Sequence, residues 1–473
     1  MKTTHSPFVD AHTDSIRIIP PSVLACILIF EIGLFLCYLK MGLRITLGLG
    51  LVMPFIIWTL QNFKNYVLLF FLYLAFIPTS AWGERYAFFH GFAFKPIIYY
   101  GFMISLLLYF WIEKIKQPFS NRGLDKRAAP WFWIILVVFA TINGFKNGQT
   151  TYVAITEMVF LGSYGLLFIF YDWFNRISPV KVWSALIWIG AATAILYLLL
   201  FMTEGGPQGI RIVTRQTHVM LAFLPLIISR IFVEHSSFKK ICFALMASVI
   251  MLAIIISQQR GLWVGTTVSL CIFIGLYVLQ PGSKKKKLRI LFLALILFSA
   301  VLFLLIVTQP ATSQLLFKRV LSLLWGFSDP SMQLRISDTQ RVLAQWQKNC
   351  GSIMIGSGLG AQFESIDPMR TSPYFIDHSW IYLLWKTGFI GLGLFILLFL
   401  RTLISGFKAV KYGMNHENRM LAAGILSGLS GLIVVSFTNG CLVFYRFIPI
   451  WSLMMSTLLF LNHSQDKHKV AIS

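Results

Sequence analysis

Along most of the chain, apolar residues come in unbroken runs, without the alternation or the one-sided helical spacing of a half-buried surface. The runs are mostly about 17–22 residues long, the length a helix needs to cross roughly 30 Å of hydrocarbon. The pattern predicts spans at 21–39, 45–60, 66–82, 96–112, 131–144, 152–171, 182–202, 217–233, 241–257, 261–280, 290–308, 379–400, 421–438 and 443–461. That makes about 12–14 transmembrane helices, because 45–60 and 131–144 are short enough to be half-spans. A soluble core accommodates one or two such runs, whereas a bilayer accommodates them all. The predicted fold class is an all-α polytopic membrane protein.

Polar segments divide the chain further. Residues 1–20 form a polar tail, 21–308 a helical bundle, 309–378 one large loop, 379–461 the C-terminal spans and 462–473 a second tail. No small-residue cleavage site follows the first apolar run, so Pro21–Leu39 is expected to be a retained span. In the large loop, Ser313–Phe327 has the amphipathic look of a helix lying along an interface. Ser337–Lys348 reads as a second helix, with Ser337 or Asp338 as its N-cap, and Gly351–Gly360 is rich in turn residues. A large ordered loop on a helical bundle is where function is expected.

Composition agrees with the pattern, since 57% of the 473 residues are hydrophobic and 12% charged, with mean hydropathy +0.75. Charge adds orientation. Lys and Arg total 40 against 17 Asp and Glu, a formal net charge of +23. A nucleic-acid partner is not expected, because these charges sit in short loops and no basic domain carries them. One alternate set of loops holds Lys114, Lys116, Arg122, Lys126 and Arg127, then Lys239 and Lys240. Lys284–Lys287 with Arg289, and later Arg401, Lys408, Lys411 and Arg419, continue it. The positive-inside rule makes that set cytoplasmic, with both termini inside and 309–378 outside.

The six cysteines form no CxxC pair and no zinc-like spacing. Cys26, Cys37, Cys242 and Cys271 fall in spans and read as small buried residues, while Cys350 and Cys441 are candidates for one outer disulfide.

Ionisable groups at membrane depth are expensive, so arginines beside spans on the outer side are informative. They are Arg211 and Arg215 before the 217–233 span, Arg260 in SQQRGLWVG, and Arg335 and Arg341 in the large loop. Each is either a snorkelling side chain or part of a shared anion site. Guanidinium suits phosphate because it stays charged and offers a planar fork of donors. His378 ends the large loop at a water–membrane junction, where an imidazole is either structural or a general base that Asp377 could orient. Glu31 and Glu157 lie within spans and hint weakly at proton coupling. The chain has no P-loop, HExxH, DxD or GxSxG, and GSGLG at Gly356–Gly360 reads as a turn.

In order along residues 205–400, SQQRGLWVG, RVLAQW, GSGLG and HSWIYLLWKTGFIGLGLF resemble the O-antigen ligase and O-antigen polymerase superfamily. That resemblance implies a multi-pass glycosyltransferase of the bacterial inner membrane, needing no metal or cofactor and working on the periplasmic face. Its donor would be an undecaprenyl-diphosphate-linked glycan, its acceptor lipid A–core or another glycan, and membrane lipids would surround it. It implies His378 as the catalytic base, with Arg260, Arg215, Arg211 and Arg341 holding the diphosphate. The family pattern has nine residues between the His-Asn or His-Ser pair and the following glycine, whereas eight separate Ser379 from Gly388 here. The expected function is ligase-type transfer, with a polymerase on the same donor as the near alternative. A lipid-linked glycan flippase is the alternative of another class, but such transporters often carry internal repeats and no convincing one is seen.

Overall fold

The structure is a computed structural model that describes residues 63–76, 99, 102–103, 106, 124–203, 217–280, 314, 317, 330–363, 374–444 and 447–472. The elements are α1 Phe63–Phe76, α2 Leu124–Lys146, α3 Thr151–Gly162, a 3₁₀ turn Ser163–Gly165, α4 Leu166–Trp173 and α5 Pro179–Thr203. Then come α6 Thr217–Val233, α7 Ser237–Ile256, α8 Arg260–Leu279, α9 Pro330–Trp346 and α10 Cys350–Ile355. The C-terminal elements are α11 Ser379–Tyr412, α12 His416–Ser436 and α13 Ile448–Ile472. Among the described residues there is no strand. The protein is an all-α, multi-pass membrane protein: six of the described spans, the α3–α4 run among them, are long and apolar enough to cross a bilayer, and 133–146 and α6 are shorter apolar helices.

Most spans fall where the apolar runs predict them, as at 217–233 for α6. The short run 131–144 belongs to a helix of 23 residues, Leu124–Lys146. The spans expected at 21–39, 45–60 and 290–308, and the amphipathic stretch 313–327, lie outside the described residues or nearly so. The helix expected from Ser337 instead starts at Pro330, and Asp338 is buried inside it. The reason is local: proline's fixed φ suits the first helical position, where its missing N–H costs nothing.

The core is built around α12, which packs on α6, α8, α11 and α13. Close approach is the reason for its small residues. A Cβ on Gly428 would lie 2.9 Å from the Ala222 carbonyl oxygen of α6, and one on Gly265 of α8 would lie 2.7 Å from the Gly431 carbonyl oxygen. In a bilayer, where apolar burial drives little helix association, such small-residue faces let backbones pack directly. Contacts of Gln259 with Thr217, Gly261 with Thr438 and Ser379 with Asn439 put the starts of α6, α8 and α11 and the finish of α12 at one end of the bundle. At the opposite end Arg230 of α6 pairs with Glu417 of α12.

Candidate functional site

At the starting end of α11 the large loop is inserted into the bundle. Helix α10 opens on a capping box, Asn349 accepting from the Ser352 N–H while the Ser352 hydroxyl receives the Asn349 N–H. It stops at Gly356, and Gly356, Gly358 and Gly360 all take positive φ (81°, 85° and 82°). GSGLG is therefore a wedge, not a free turn. The Ser357 N–H donates to the Trp385 carbonyl (2.7 Å), and the Leu359 N–H to the Ala140 carbonyl (3.0 Å). Asn143 Nδ2 donates to the Gly356 carbonyl at 3.0 Å. The wedge thus supplies partners to backbone carbonyls within the apolar helices α2 and α11. Trp385's carbonyl is free to accept because α11 breaks its helical conformation at Gly388 (φ 67°, ψ −170°), where a Cβ would overlap the Met354 carbonyl. The kink also resets the helical phase, so the eight-residue spacing from Ser379 to Gly388 is read across a break and not along one continuous helix.

A buried ion pair pins the wedge. Lys386 Nζ lies 2.9 Å from Glu157 Oε1 and donates to the Ala361 carbonyl at 2.7 Å, and it sits 4.2 Å from the Trp385 ring centroid. The second Glu157 oxygen, Oε2, accepts the Gly360 N–H at 2.6 Å. Both charges are buried and both have hydrogen-bonded partners, the condition under which a buried pair is tolerated. Glu157 is thus an anchor for the loop.

His378 is the N-cap of α11. Its Nδ1 accepts from the Ile381 N–H at 3.4 Å, and its ring meets Phe437 edge-on at 5.9 Å. Partial burial holds its pKa below the ordinary 6.5, so the ring is neutral near pH 7. An accepting Nδ1 places the proton of the neutral ring on Nε2. The neighbouring Asp377 pairs with Arg335 of α9 at 3.5 Å. This half-exposed bridge ties α9 to the residue before the histidine.

Arg260 is the first residue of α8, after the tight turn 257–259. Gln259 Nε2 donates to Thr217 Oγ1 (2.9 Å) at the start of α6, two residues after Arg215. A Cβ on Gly261 would overlap Thr438 Oγ1, and Ser379 Oγ donates to the Asn439 carbonyl at 2.8 Å. The segment 437–439 leaving α12 therefore meets both the start of α11, at His378 and Ser379, and the start of α8, at Gly261 next to Arg260.

Of the residues predicted from sequence, His378 and Arg260 both stand at helix starts at this end of the bundle. Arg341 is exposed on α9, away from the face that carries Val342 and Trp346 inward. Arg211 and Arg215 lie outside the described residues. The proposed Cys350–Cys441 disulfide is not formed. Both are free thiols, and Cys441 is buried, its Sγ directed to the Leu432 carbonyl at 3.5 Å. Sequence reading missed Lys386, whose signal was a lone lysine inside an apolar span, and Gln258, which carried none. Among the described residues no three His, Cys, Asp or Glu side chains converge. No protein-family model matches the chain, and no curated protein matches it either.

Proposed function

We propose that the protein is a ligase-type glycosyltransferase, moving a glycan from undecaprenyl diphosphate to an acceptor hydroxyl, such as one on lipid A–core, at the periplasmic face. One observation carries the reading: His378 meets Phe437 while Gly261, the residue after Arg260, lies against Thr438, so a histidine and an arginine stand at helix starts beside one segment at one end of the bundle, where a large loop is anchored. The resemblance of residues 205–400 to the O-antigen ligase and polymerase superfamily supplies the donor class.

The chemistry is a single displacement. The acceptor oxygen forms a bond to the anomeric carbon as the bond from that carbon to the phosphate oxygen breaks, which inverts configuration. The electron pair leaves on the diphosphate, which needs charge stabilisation more than a proton. Arg260, with Arg211 and Arg215 from the segment that precedes α6 in sequence, would supply that charge, and Arg341, exposed on α9, would join them only if α9 moves toward the bound donor. His378 takes the acceptor proton. Its cap bond, at 3.4 Å, is at the long limit for a hydrogen bond, so the ring can leave the cap at small cost and free a nitrogen lone pair.

Purified protein supplied with lipid-linked glycan and lipid A–core tests this. Glycan attached to lipid A–core supports the ligase reading, and longer lipid-linked glycan without attachment indicates a polymerase. Neither product from correctly folded protein sinks both.

A further inference from the structure

The turn before α8 contains a side chain that its own fold does not use. Ser257, Gln258 and Gln259 are all buried. Ser257 Oγ donates to the Ile254 carbonyl (2.7 Å) and accepts the Gln259 N–H (3.4 Å), while the Gln259 carboxamide donates to Thr217. Gln258 differs from both. It is 2% exposed, and its Nε2 has no hydrogen-bond partner. Its backbone is at φ 53°, the one positive φ at a non-glycine position among the described residues. Two costs therefore meet at one residue, an unmade buried hydrogen bond and a backbone conformation that favours glycine. A glycine would make this turn without strain, and a leucine would fill the volume without burying N–H groups. Strain and unsatisfied donors that coincide at one buried position point to function.

The surroundings indicate what would satisfy the donor. Gln258 stands two residues before Arg260, and α8 is a 20-residue helix whose first-turn N–H groups and dipole favour an anion. Asp and Glu are absent from that first turn. We infer that the turn 257–260 is a ligand-binding turn in which the Gln258 carboxamide donates to an oxygen of the anionic group held at Arg260. Taking that group to be a polyprenyl diphosphate rests on the proposed function.

The test uses the full chain in detergent or nanodiscs, with Gln258→Gly and Gln258→Leu beside wild type. Melting temperature is read without ligand, undecaprenyl diphosphate binding is titrated, and glycan transfer is assayed separately. The inference expects at least one variant to melt at or above wild type, since strain or an unpaired donor is removed. Such a variant should bind undecaprenyl diphosphate about tenfold or more weakly, the share of one hydrogen bond to a charged group. If both variants melt below wild type, the side chain is structural and the inference fails. It fails equally if a well-folded variant binds as wild type does, or if wild type does not bind the probe. If wild type binds and the variants do not, yet wild type transfers no glycan, the turn stands and the transferase reading falls.

Discussion

Lys386→Met removes the cation that pins the large loop to the bundle. Glu157 keeps the Gly360 N–H on Oε2, but Oε1 loses its 2.9 Å partner, and the Ala361 carbonyl loses its 2.7 Å donor. Both side chains of the pair are almost fully buried, so water does not readily replace what is lost. Breaking a buried pair from one side costs about 3–5 kcal/mol, because an uncompensated charge stays behind. Glu157→Gln alone should cost a similar amount, since it strands the ammonium. The double variant leaves no charge, only weaker or missing hydrogen bonds at about 1–3 kcal/mol, so it should be more stable than Lys386→Met alone. Equilibrium unfolding in mixed detergent measures all three differences. A cysteine at Ser357, whose N–H donates to the Trp385 carbonyl at 2.7 Å, reports locally by labelling faster when the wedge lifts. A Lys386→Met protein within about 1 kcal/mol of wild type, or a double variant whose cost is the sum of the singles, would refute the anchor.

Other outcomes follow from the same geometry. His378→Asn keeps a good N-cap acceptor and should hold wild-type stability while losing about 10²–10⁴-fold in transfer rate, whereas His378→Ala should also lose about 1 kcal/mol of stability; transfer assays and unfolding on the same preparations separate the two. The His378 pKa is lowered by burial, so its neutral form is favoured on folding: its stability contribution is complete above the ordinary 6.5 and lost as pH falls through the depressed value. Transfer should therefore fall on acidification, following one proton with a midpoint below 6.5, and a pH–rate profile checks this. Activity should survive EDTA, because arginines stabilise the leaving group in the proposed reaction, and loss on chelation restored by Mg²⁺ would contradict that role.

Helix identities were legible because each span is an unbroken apolar run, and His378 and Arg260 stood out because charge or a titratable ring at a span boundary is costly. The wedge was not legible in the same way. GSGLG has the composition of any turn, and only its docking against Ala140, Asn143 and Trp385 gives its three positive-φ glycines a reason. The kink at Gly388 depends on the same long-range contact, so a local pattern reads the stretch as one helix. The Glu157–Lys386 pair joins residues far apart in sequence, and each looked like an isolated charge until the fold brought them together. Pro330 and Asp338 show a smaller failure, in which a plausible cap residue was overruled by a proline seven residues before Ser337 that suits a helix start better.

In the proposed reaction the bundle end carrying His378 and Arg260 transfers glycan from a lipid diphosphate. Initial rates of glycan transfer to lipid A–core by wild-type, His378→Asn and Arg260→Lys proteins, purified and matched for folding, test it most directly. Wild type should form product, and His378→Asn about 10²-fold less or lower. Arg260→Lys should fail comparably, because an ammonium keeps the charge but loses the planar two-donor fork. Wild-type rates from both variants would contradict the account and leave this arginine as a side chain reaching for lipid headgroups and this histidine as no more than a helix cap.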